Sequence, residues 1–113
     1  MHDDYNTPQQ LIAKRDQKVK THLEQYAPIW IVDETMLMTD EAIQFTVLFL
    51  HPTASDQGAP AWVERRYRYD AFNDTLYHKG QTRVGEDDAV DMTAGKVPYI
   101  DLVSDDMPNA YGG

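Results

Sequence analysis

Apolar positions recur at helical spacing early in the chain and at strand spacing from its middle onward. Thr7-Pro8-Gln9-Gln10 predicts a helix start. Thr7 can cap the helix, Pro8 suits its first turn because the missing N–H needs no partner there, and Gln10 completes a capping box. Leu11, Ile12, Val19, Leu23 and Tyr26 then fall on or near one stripe, with Lys14, Arg15, Lys18 and Lys20 largely off it. Pro28 restricts Ala27 and closes the pattern.

Strand patterns follow. Ile29 to Val32 is apolar and β-rich, and resumes at Met36 to Met38 after an interruption at Asp33-Glu34 that reads as a bulge or a strand end. Thr39 to Glu41 reads as a turn. Ala42 to His51 alternates, with Ile43, Phe45, Val47 and Phe49 on one face and Leu48 and Leu50 on the other, so its second half should be covered on both sides. Pro52 to Pro60 has loop composition. Trp62 to Asp70 and Thr75 to Lys79 form a hairpin joined by Ala71 to Asp74. Strand parity puts Val63, Arg65, Tyr67, Tyr69, Leu76 and His78 on its core side, and Trp62, Glu64, Arg66, Arg68, Asp70, Tyr77 and Lys79 on its outer side. Glu86 to Met92 suits a short helix with acids in the first turn. Val97 to Val103 suits a last strand, held to an edge by Pro98.

These elements predict a single α+β domain over residues 1–113, with residues 1–6 and 105–113 frayed. The N-terminal amphipathic helix packs on an antiparallel sheet of four to five strands. Cover for Leu48 and Leu50 must come from the C-terminal segment or from a second copy, so a homodimer is an expectation.

Charge changes the picture. The net charge is -9, yet five of the ten Lys and Arg residues (Arg65, Arg66, Arg68, Lys79 and Arg83) lie in the hairpin tract. Residues 26–61 hold five acids and no Lys or Arg. An acidic whole repels phosphate at long range, which argues against nucleic acid and favours a protein partner, a basic one in particular. With no cysteine, disulfides, thiolate metal sites and Cys nucleophiles are excluded. The acidic start Met1-His-Asp-Asp-Tyr5 is unlike a signal peptide, and no apolar run approaches membrane-spanning length. The expectation is a cytoplasmic protein.

Catalytic and cofactor signals are weak. His51 and His78 lack metal-ligand spacing, and Glu86, Asp87, Asp88 and Asp91 lack that of a calcium loop. No Gly-rich phosphate loop or nucleophile elbow occurs. No cofactor, metal or catalytic residue is expected, and Asp33 and Glu34, adjacent on a strand, point to opposite faces.

Two functional readings remain. In the first, the chain is a small non-enzymatic interaction protein, of the adaptor, inhibitor or immunity-like kind. It binds a protein partner through Trp62, Arg66, Arg68, Tyr77 and Lys79, because Arg, Trp and Tyr dominate binding hot spots. In the second, it is a small-molecule binding domain or minor enzyme. Its pocket lies between helix and sheet and is lined by Trp30, Asp33, Phe45, Tyr67, Tyr69 and His78.

Overall fold

In a computed structural model, which describes residues 6–101, helix α1 spans Pro8–Leu23 and opens with the capping box expected of Thr7 and Gln10. The Thr7 hydroxyl accepts from the Gln10 backbone N–H at 3.1 Å, and the Gln10 side chain accepts from the Thr7 N–H at 2.9 Å. Two orphan donors of the first turn are thereby satisfied. A 3-10 turn over Glu24–Tyr26 ends the helical segment. Residues 1–5 and 102–113 lie outside the described residues, so the expected fraying of 105–113 falls there. Asn6, placed in the frayed N-terminus by the sequence, donates through its backbone and its amide to the Glu41 carboxylate.

Four strands follow in antiparallel order β1-β2-β3-β4. They are β1 (Trp30–Leu37), β2 (Ala42–His51), β3 (Ala61–Asp70) and β4 (Thr75–Arg83). The Asp33-Glu34 interruption is a register shift between Ile31 and Asp33 within one continuous strand. The hairpin turn holds the four residues Ala71 to Asp74. β4 runs four residues further than its pattern suggested, to Arg83, because a second register shift beside Lys79 lets the ladder continue.

α1 covers one face of the sheet. Its buried residues are Leu11, Arg15, Val19 and Leu23, one helical face at four-residue spacing. They meet Ile43, Phe45, Val47 and Phe49 of β2 and Val63, Tyr67 and Tyr69 of β3 in a continuous core. Each buried Leu or Val contributes roughly 1.5–3 kcal/mol of transfer free energy. The structure corrects one placement here: Arg15, expected largely off the apolar stripe, is 2 % exposed and lies within it.

Helix α2 (Glu86–Thr93) packs on the opposite face against β1 and β3. Its Ala89 is fully buried, as is Leu48, while Leu50 remains 45 % exposed. The C-terminal segment therefore covers part of the second apolar face. The last predicted strand is corrected as well. Over the described residues it is a single antiparallel bridge, Ile29 to Ile100, because Pro98 lacks the N–H that a ladder would need. Residues 102 and 103 lie outside the described residues.

Candidate interaction site

The sheet face that carries α2 is apolar at one end and polar beyond it. At the apolar end Trp30, paired with Leu48, and Trp62, paired with Leu50, pack with ring centroids 6.1 Å apart. The next row across the strands is Asp33, Thr46, Arg66 and Gly80, and the one after it is Thr35, Gln44, Arg68 and Tyr77. Asp33, Thr35, Gln44, Thr46, Arg66 and Lys79, together with Phe45 and Tyr67, line a shallow depression of about 240 Å³ on this open face.

All four hydrogen-bonded strands contribute to the depression, which lies beside the register shifts of β1 and β4. Arg66 and Lys79 reach it through a local device. In a regular hairpin Lys79 would lie directly opposite Arg66, and facing like charges destabilise a strand pair. The register shift instead sets Gly80 opposite Arg66 and leaves Lys79 as the extra residue. Gly80 has φ +152°, and a Cβ there would come within 2.5 Å of Arg66 Nη2. A bare backbone thus gives the guanidinium a seat. Arg66 Nη1 donates to Thr82 Oγ1 at 3.2 Å.

Several cations of the chain are neutralised nearby. Lys18 meets Asp74 at 2.9 Å, Arg68 meets Asp40 at 3.5 Å and Arg83 meets Asp56 at 3.1 Å. Among the described residues neither Arg66 nor Lys79 has an acidic partner, and Asp33 has no basic one.

Of the five residues expected at a partner surface, Arg66, Tyr77 and Lys79 are exposed on this face. Arg68 is half-buried beside Asp40, and Trp62 is half-buried against Trp30. Sequence reasoning missed Thr35, Gln44 and Thr46. Their signal was parity, since the core side of β2 takes its odd positions and leaves Gln44 and Thr46 to the other face.

Of the six residues expected around a helix–sheet pocket, Asp33, Phe45 and Tyr67 border the depression, whereas Trp30, Tyr69 and His78 do not. Trp30 and Asp33 lie on the open face. Phe45 and Tyr67 stack on each other at 5.6 Å on the helix side, and Tyr69 is fully buried there. His78 sets its ring edge against Tyr67 at 5.6 Å. Burial, then Arg65 and Arg66, hold the His78 pKa below its usual value. Asp33 and Glu34 do point to opposite faces, for Glu34 accepts from Arg15 Nη2 at 2.7 Å on the helix side.

Around Arg15 lies a second polar cluster. Its Nε meets Asp16 at 2.6 Å, and its guanidinium carbon lies 4.9 Å from the Phe45 ring centroid and 5.6 Å from that of Tyr99. The Tyr99 hydroxyl donates to the same Asp16 carboxylate. Burial alone would lower the Arg15 pKa, but the hydrogen bonds to Glu34 and Asp16 outweigh it and hold the guanidinium protonated. Burial, aided by the bond to Asp16, pushes the Tyr99 pKa well above the usual range.

Among the described residues, no group of three or more His, Asp or Glu converges as metal ligands do, and no helix is long and apolar enough to cross a membrane. No protein-family model, curated protein or solved structure matches the chain.

Proposed function

We propose that this protein is a small non-enzymatic interaction module that binds a protein partner through the open face of its sheet. The observation that carries the reading is the pair Arg66 and Lys79. They are two exposed cations beside a mostly polar depression, without acidic partners among the described residues, in a chain of net charge -9. An Arg fork offers two parallel donors to a carboxylate, so the contacting patch of the partner presents a carboxylate. Over longer distances the acidic total attracts a partner of basic overall charge. The close stacking of Phe45 on Tyr67 favours this surface over a pocket between helix and sheet.

The test compares capture of native-cell proteins by the wild-type chain and by Arg66→Glu/Lys79→Glu. A stoichiometric partner held by the wild type and lost by the variant is the expected result. Equal recovery by both chains overturns the assignment.

Self-association is proposed through the end of the sheet where Leu50, Trp62 and Val84 border a depression of about 420 Å³. Light scattering at micromolar concentration should give twice the chain mass, and a single-chain mass overturns that contact.

A further inference from the structure

The open-face depression carries charges of both signs on opposite banks. Asp33 stands on the β1 bank, Arg66 and Lys79 on the β3–β4 bank, and Thr46 between them. Asp33 and Arg66 are cross-strand neighbours of the same residue, Thr46, so their backbones stand about 10 Å apart, two strand spacings. The two banks do not close on each other as an ion pair.

We propose that this depression takes a zwitterionic group, with a carboxylate held by Arg66 and Lys79 and an ammonium held by Asp33, as presented by the C-terminal lysine of a protein partner. The inference rests on the reading of the open face as the contact surface. Charge complementarity selects the ligand. A lone carboxylate satisfies the two cations but leaves Asp33 facing a like charge. A lone ammonium satisfies Asp33 and meets two cations. A group with both charges, separated by a short methylene chain, satisfies both banks at once. The hydroxyls of Thr35 and Thr46 and the amide of Gln44 supply neutral hydrogen-bonding groups between them. Gly80 contributes by omission, because its bare backbone lets the Arg66 guanidinium lie low against β4.

The probe is ε-aminocaproate, titrated into the isotope-labelled full chain and followed by amide shifts, with caproate and pentylamine as controls. Saturable shifts at Thr35, Thr46 and Arg66 are expected, with ε-aminocaproate binding roughly tenfold tighter than caproate, the scale of one added charge-assisted contact. Asp33→Asn should erase that preference by loosening ε-aminocaproate without weakening caproate, which loses a repulsive neighbour, and Arg66→Gln should abolish both. Both positions are exposed, and unchanged amide shifts remote from the depression verify that each variant is folded. Equal binding of caproate and ε-aminocaproate, or no saturable shift with either, overturns the proposal. If a captured partner depends on Arg66 and Lys79 but is not displaced by ε-aminocaproate, the contact surface stands and the zwitterionic ligand falls. If capture does not depend on those residues, the surface reading itself falls.

Discussion

Arg15 occupies a position in the series Leu11, Arg15, Val19, Leu23 where an apolar residue would satisfy the helix pattern. It is tolerated because its charge is answered on two sides, by Asp16 and by Glu34. Its planar guanidinium also lies near the Phe45 and Tyr99 rings. Its Nη1 is nonetheless buried without a hydrogen-bond partner, and such a group costs about 1–3 kcal/mol. Arg15→Ala should destabilise the protein by roughly 3 kcal/mol, since it opens a cavity and leaves two carboxylates beside the core. Arg15→Met keeps most of the volume and removes the unsatisfied donor, so it should cost clearly less. Urea unfolding of the two variants checks the order, and equal losses would mean that charge rather than volume governs the site. Arg15 was legible in the four-residue spacing, but charged residues are so seldom buried that its chemistry hid its position.

Among the elements, α1 is tied to the hairpin by one acid. Asp74 has φ 52°, a left-handed conformation that Asp adopts more readily than most residues. Its carboxylate accepts from the Tyr69 hydroxyl at 2.6 Å and meets Lys18 of α1 at 2.9 Å. The bond from Tyr69, with help from Lys18, holds the Asp74 pKa below the usual carboxylate range. The folded state therefore binds the Asp74 proton more weakly than the unfolded chain does. The resulting stability is fully present above the ordinary Asp pKa of about 3.9 and is lost as pH falls through the lower folded value. Asp74→Asn should remove this part of the acid limb, measured as urea midpoint against pH. A variant whose midpoint falls on acidification as steeply as the wild type would show that the tie contributes nothing. The hairpin turn itself was readable, because Asn73 and Asp74 suit a turn and the flanking strands alternate. The register shift beside Lys79 was not, for no residue in that stretch declares which side of a ladder will slip.

At the scale of the whole molecule, the acidic balance and the cationic open face belong together. A net charge of -9 gives the chain a repulsive field toward phosphate, while Arg66 and Lys79 remain a local exception to it. A contact made there should weaken as salt rises through the physiological range, where screening acts over about 8 Å. The α+β class, the capped helix, the parity of the hairpin faces and the local excess of positive charge are all written along the chain. Each of these follows from short-range chemistry: periodicity, caps, turn residues and formal charge. Folding alone sets α2 against β1 and β3, brings Trp30 onto Trp62, and gives Asp33 a depression in common with Arg66 and Lys79. These juxtapositions join residues of different strands. They depend on inter-strand register and on which face each helix takes, and neither is encoded within a single stretch of chain.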